Sequence, residues 1–282
     1  MTDPGAVRTA RTQSEIRELA LVLAAAGIEH RVTGRSGEWR LVVAPDDAEA
    51  ASSALEAYER ERAAAVAAPE QPFESYAGFH LAAALWAFYV VTGPAWRASA
   101  WARVGAADAN RVLHGEPWRA VTALTLHADA AHLLGNVVSC AVFVTALARL
   151  IGAGVAGFAV LLAGTAGNLL AAALRGAGHT SVGASTAIFG AIGILGGLEF
   201  GRRRGRRRAW LPLAGSLALL ALLGTSPRSD LVAHLFGLLT GVVVGTVLAV
   251  VPTPRGPLAQ AVLGGGALAA VVGSWVLAFV RS

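Results

Sequence analysis

From about Gly78 onward the chain is dominated by apolar runs too long and too free of charge to form one face of a surface helix. Seven stretches qualify as candidate membrane spans, at roughly 78–95, 132–151, 153–174, 183–200, 209–224, 231–251 and 258–280. Several sit near the lower limit of about 17 residues for a helix that crosses hydrocarbon. Composition agrees, because only 15% of the 282 residues are charged, well below the roughly 25% of soluble domains. A polar disordered chain is excluded, and a single soluble domain is disfavoured. The pattern predicts an all-α polytopic membrane protein, a helical bundle of about seven transmembrane helices, with a small N-terminal α+β soluble domain.

The first 62 residues hold much of the acid, from Glu15 and Glu18 to Glu59 and Glu61. Residues 13–27 read as an amphipathic helix. Residues 30–45 alternate around Gly34 and Gly37 as a hairpin. Asp46 followed by Glu49 signals the start of a second helix through about Arg62. This α-β-β-α module carries no nucleotide, metal or nucleophile motif and reads as a soluble appendage or interaction domain. Residues 63–77 read as its linker, 78–251 as a six-helix core and 252–282 as an additional transmembrane helix. The N-terminus lacks the pattern of a signal peptide. Cys140, the single cysteine, lies in an apolar run and reads as a small hydrophobe.

Charge placement predicts orientation. All 23 basic residues other than histidine are arginine, and residues 201–208 hold six of them. A nucleic-acid patch is one reading, but the run is pinned between two apolar stretches, and the positive-inside rule accounts for it with less assumption. No nucleic-acid partner is expected. A cytoplasmic 201–208 loop puts the N-terminal domain in the cytoplasm, and loops 96–131, 175–182 and 225–230, with the C-terminal tail, outside. Arg149 agrees with this orientation, whereas Arg175 and Arg228 run against it, so the rule acts as a bias. The stretch 96–131 mixes Trp96, Trp101 and Trp118 with Arg97, Arg103, Arg111 and Arg119. It suits an interfacial loop with short amphipathic helices.

Polar side chains gather where hydrocarbon should exclude them. His127, His132 and Asn136 lie at the outer end of span two, Gly183, Ala184, Ser185 and Thr186 at that of span four, and His234 at that of span six. All three spans run from outside to inside, so the clusters meet at one depth. A serine hydroxyl is a weak nucleophile unless a histidine takes its proton. Ser185 and His234 supply that pair. Side-chain N–H groups of His132 and Asn136, four residues apart on one helix face, suit an oxyanion. Asp230 stands one turn before His234, where a loop role is an equally good reading. Taken singly, Ser185 is more often a packing residue and His234 a satisfied polar group. His127 and His132 are five apart and do not share a helix face, which argues against a metal pair. His30, His80, His114 and His179 read as surface or interfacial residues.

The ordered set Trp118-Arg119, His127 with His132 and Asn136, Gly183-Ala184-Ser185, and Ala233-His234-Leu235-Phe236-Gly237 resembles the rhomboid intramembrane serine proteases. The resemblance implies a six-helix core plus one helix, with Ser185 as nucleophile and His234 as general base. It implies His132 and Asn136 as oxyanion contributors, a more structural role for His127, and the Phe189 ring beside the histidine. It implies hydrolysis without cofactor or metal. The implied substrates are single-span or multi-span membrane proteins, cut near the outer face of the cell membrane. One departure stands out: the family commonly has glycine after the serine, and here Thr186 puts a β-branch beside the nucleophile, where it would crowd an oxyanion pocket or alter substrate fit. A rhomboid-like scaffold that binds membrane proteins without cutting them is the alternative, although such scaffolds usually lack the serine or the histidine.

Overall fold

In the computed structural model, residues 6–35, 37–67, 72–95, 99–203, 205–223 and 229–281 are described. The chain divides into two compact units, Met1–Gln71 and Pro72–Ser282. In the first, strand β1 (Ala6–Ala10) leads into helix α1 (Gln13–Ala25). Thr12 caps that helix, its hydroxyl accepting from the Glu15 N–H at 3.2 Å. Strands β2 (His30–Arg35) and β3 (Glu38–Val43) form an antiparallel hairpin, and helix α2 (Ala48–Ala67) follows. Ile16, Leu19 and Leu23 of α1 pack with Leu41 and Val43 of β3 and with Ala51 and Leu55 of α2. Two features differ from the sequence reading. Strand β1 precedes the expected α-β-β-α order and pairs with β3, giving the sheet order β1-β3-β2. Its five residues, Ala-Val-Arg-Thr-Ala, are too short and too polar to announce a strand. Helix α2 also runs on to Ala67, carried past Arg62 by the helix-favouring Ala63-Ala64-Ala65.

The second unit is a polytopic helical membrane bundle. Helix α3 (Ala77–Thr92) is followed by short elements: α4 (Ala100–Gly105), strand β4 (Ala107–Asp108), α5 (Ala109–Leu113) and α6 (Arg119–Thr122). Helix α7 (Ala130–Ser139) passes through a π-helical stretch, Cys140–Val144, into α8 (Thr145–Ile151). Then come α9 (Ala153–Arg175), strand β5 (Thr180–Ser181), α10 (Ser185–Arg202), α11 (Leu211–Leu223), α12 (Leu231–Leu248) and α13 (Pro257–Val280). Among the described residues, Ala130–Ile151, Ala153–Arg175, Leu231–Leu248 and Pro257–Val280 are long and apolar enough to cross a membrane, while α3 and α11 are shorter apolar helices. Helix α10 is buried almost all round from Thr186 to Leu198, so it is solvated by protein and not by lipid. It can therefore carry many glycines.

Those glycines set the geometry of the core. On α12, a Cβ at Gly237, Gly241 or Gly245 would overlap the carbonyl oxygen of Thr186, Gly190 or Ile194. On α10, a Cβ at Gly193 or Gly197 would overlap that of Leu238 or Val242. The two backbones interleave with no side chains between them. Helix α9 seals the pair: Thr240 Oγ1 donates to the Ala163 carbonyl at 2.9 Å, and Gly164 and Gly167 face Ala187 and Thr186.

Two polar devices fix the periphery. The Arg119 guanidinium, almost wholly buried, bonds Glu116 through Nε and donates through Nη1 to the carbonyls of Arg103 (3.0 Å) and Ala106 (3.1 Å). Thr122 Oγ1 donates to the Gly105 carbonyl at 2.6 Å, and β4 pairs with β5. The described part of the 96–131 stretch is thus a folded layer of short helices; its Trp96 and Arg97 lie outside the described residues, as do Arg204 of the arginine run and Arg228. At the α8–α9 break, Gly152 takes φ +86° and leaves the first N–H groups of α9 without a local cap. Gln260 of α13 supplies one. Its Oε1 accepts from Gly154 N (2.8 Å) and Val155 N (3.2 Å), and its Nε2 donates to the Ile151 (3.1 Å) and Pro254 (2.7 Å) carbonyls.

The seam makes a direct prediction. Gly241→Leu should destabilise the bundle by about 1–3 kcal/mol, the usual range for overpacking. Gly265→Leu, where a Cβ meets nothing within 4 Å, should cost less than about 0.5 kcal/mol. Reversible unfolding in mixed detergent micelles, followed by circular dichroism, measures both.

Candidate active site

Ser185 is the first residue of α10. The helix starts there, two residues later than the sequence suggests, because Gly183 has φ +129°, a conformation that L side chains rarely adopt. The Gly183 N–H donates to the Ala123 carbonyl at 2.9 Å, and the Ala184 carbonyl accepts from Ile188 N. The turn is therefore tied down on both sides. The Ser185 N–H falls in the first turn, where no carbonyl four residues back is available.

His234 lies in the first turn of α12, on the face turned to α10. Its Nε2 stands 2.8 Å from Ser185 Oγ. The Phe189 ring, one turn along α10, packs on the imidazole with centroids 4.7 Å apart and planes inclined by 35°. The imidazole is 95% buried, having 5% of its surface exposed. The contact thus joins two residues 49 apart in sequence across the glycine seam.

Helix α7 brings the third element. Asp129 caps it by accepting from the His132 N–H at 2.8 Å. The His132 ring and the Asn136 amide face the serine turn: a Cβ at Gly183 would run into the His132 ring and sit 3.5 Å from Asn136 Nδ2. Asn136 is buried, and its Nδ2 has no hydrogen-bond partner among the described residues. His127 is wholly buried, its ring edge-on to that of His132 at 5.4 Å, and its carbonyl accepts from Ala95 N at 2.8 Å. Burial, with the His132 ring beside it, pushes the His127 imidazole down to about 4. It is neutral at ordinary pH.

Two expectations change. Thr186 points away from this pocket: its Cγ2 packs against Gly167 of α9 and Gly237 of α12. The β-branch fills the helix seam and does not crowd the turn at Gly183. His179 and Asp230 are partners, with Nε2 donating to Oδ2 at 2.7 Å. Asp230 also caps α12, its Oδ1 accepting from Ala233 N at 3.1 Å. Burial alone would raise the Asp230 carboxyl, but the Ala233 N–H and the His179 ring outweigh it and hold the group below its ordinary value. The sequence placed Asp230 near His234 but gave no signal for its partner. The pair is 51 residues apart and depends on β5 being pinned to β4. Of the other histidines, His30 and His114 bond backbone carbonyls of their own segments, Ile28 and Asn110.

The chain also matches a known family. The family model of the rhomboid domain matches residues 114–250. The chain is 33% identical over 165 residues to YdcA of Bacillus subtilis (strain 168), a protein provisionally named a rhomboid protease; the match covers 57% of this chain and 81% of that one. It is also 33% identical over 154 residues to RHOMBOID-like protein 6, mitochondrial, and to RHOMBOID-like protein 1, both of Arabidopsis thaliana. Those matches cover 53% of this chain, but only 50% and 39% of the plant proteins' own lengths. The chain belongs to the rhomboid family.

The buried neutral His127 predicts acid sensitivity. Its folded value lies below the unfolded one, so its contribution is complete above about pH 6.5 and is lost as pH falls toward 4. The loss is on the order of 3 kcal/mol. His127→Gln should flatten the fall in unfolding midpoint between pH 6.5 and 4, measured by thermal unfolding in detergent at half-unit steps.

Proposed function

We propose that this chain is an intramembrane serine endopeptidase working through a Ser185–His234 dyad. The observation that carries the reading is the 2.8 Å approach of Ser185 Oγ to His234 Nε2 at the helix ends of a membrane bundle. At that distance the hydroxyl donates to the imidazole. As Oγ attacks a scissile carbonyl carbon, His234 takes the proton and becomes imidazolium. The carbonyl oxygen becomes an oxyanion, and the donors available to it are Asn136 Nδ2, the His132 ring and the Ser185 N–H. His234 then passes its proton to the leaving amine, and an acyl-serine remains. Water, deprotonated by the same imidazole, attacks the ester and restores the hydroxyl. Phe189 limits the ring's rotation, so Nε2 stays aimed at Oγ through both halves.

The substrates are transmembrane segments of membrane proteins. A helical scissile bond is covered and hydrogen-bonded, so a segment weakened by glycine, proline or small residues is the one that can unwind into the turn at Gly183. Helix α11, with Leu217 and Leu222 exposed, is the side where such a segment enters. The arginine run puts residues 201–208 and the N-terminal unit in the cytoplasm and the dyad near the outer face of the cell membrane. Residues 1–62 act as a cytoplasmic appendage, 78–251 as the protease core and 252–282 as its added helix.

Purified protein in liposomes should cut a single-span reporter that carries a helix-breaking segment near its outer end. Ser185→Ala and His234→Ala should each lower the rate at least about 10³-fold, and Asn136→Ala about 10²-fold, with unfolding midpoints unchanged. Cleavage that persists in Ser185→Ala sinks the dyad. A wild type that neither cuts nor is labelled at Ser185 by a serine-reactive phosphonate favours a binding scaffold.

A further inference from the structure

Beside the site, α3 and α13 stand apart and leave a crevice of about 670 Å³. Leu81, Leu85 and Phe88 of α3 form one wall, and Leu268, Val272 and Val276 of α13 the other. Its floor is Val160 of α9 with Ala187 and Ile188 of α10, the helix that opens at Ser185. Aromatic rings close one end: Phe88, Trp101, Trp275 and Phe279 stack in edge and tilted contacts 5.1–5.7 Å apart. Trp275 is held there by donating Nε1 to Thr125 Oγ1 at 3.1 Å. No charged side chain lines the space.

We propose that this crevice is a lipid site, taking one acyl chain of an anionic phospholipid whose phosphate lies at Arg103 and Arg281. The chemistry selects this occupant. The mouth is framed by Leu268, Val272 and Val276, which are exposed on a helix apolar enough to span a membrane, so hydrocarbon and not water meets it. A second helix is too thick: one turn with side chains, 10–12 Å across and 5.4 Å tall, fills about 500 Å³, so the crevice holds little more than one turn. An acyl chain is slender and flexible and matches walls that are almost wholly apolar, the Trp275 N–H being turned to Thr125 Oγ1. Charge supplies the rest. Arg103 lies on α4 with Trp101, and Arg281 lies two residues past Phe279, so both residues stand at the aromatic end. Both are exposed, and neither has an ion-pair partner among the described residues. The inference needs only the membrane bundle and stands apart from the proteolytic reading.

The full chain in phosphatidylglycerol vesicles, doped with a phosphatidylglycerol that carries a diazirine in its acyl chain, tests it. After photolysis, peptide mapping should find label at Val160, Ala187 or Ile188, which are buried and line the crevice floor, as well as at exposed Val90 and Leu174. A Cβ at Gly157, on the crevice wall, meets nothing within 4 Å, so Gly157→Phe should plug the space without a clash. Ala84→Trp plugs it from the opposite wall. Either variant should erase the inner label and keep the outer one, which also reports that the bundle is intact. Arg103→Ala and Arg281→Ala should each lower the inner label about 5-fold. Label confined to exposed residues, or inner label indifferent to both plugs, overturns the site.

Discussion

Everything at the candidate active site depends on how closely two backbones approach. Helices α10 and α12 meet with glycine against carbonyl on both sides, five times over the length of the seam. In a bilayer, packing two helices gains nothing from excluding water, because lipid tails are as apolar as leucine. The association must come from contact itself, and contact is best where no side chains intervene. The serine and the histidine sit at one end of this seam. Their separation is inherited from backbone packing, and neither side chain has to reach.

The same constraint accounts for the polar groups around the bundle. Hydrocarbon supplies no partners, so each buried donor or acceptor must find one within the protein. Arg119 does this for the layer of short helices between α3 and α7, closing three carbonyl or carboxylate contacts within one loop. Asn168 ties that layer to α9 by donating to the Ala120 carbonyl at 2.9 Å. Asp230 serves α12 and His179 at once. Among the described residues, Asn136 Nδ2 is one of several buried polar atoms without a partner, Trp118 Nε1 and both His127 ring nitrogens being others, and it faces the serine turn.

The sequence made much of this legible because hydropathy and helix length are local properties. Seven helices lie close to where apolar runs place them. His132, Asn136, Ser185 and His234 announced themselves as polar groups in apolar surroundings. What stayed hidden was long-range or directional. A run of five mixed residues does not reveal that β1 pairs with β3. Helix start is set by the φ of Gly183, so the two-residue shift of α10 needed the backbone. The rotamer of Thr186 was invisible, and with it the finding that its methyl fills the hole left by Gly167 and Gly237. Gln260 carries no sequence signal for its role; only the tertiary fold shows that it caps another helix.

That cap has a consequence for how the protein is made. Gln260 follows Gly154, whose N–H donates to it at the start of α9, by 106 residues. A ribosome adding about 5–20 residues each second needs several seconds to cover that distance. Throughout that interval the start of α9 sits at the membrane with its first amides uncapped, while the remaining helices of the core are still being made. A helix made after the core is therefore the one that completes an early junction, and maturation of the bundle is timed by insertion of α13.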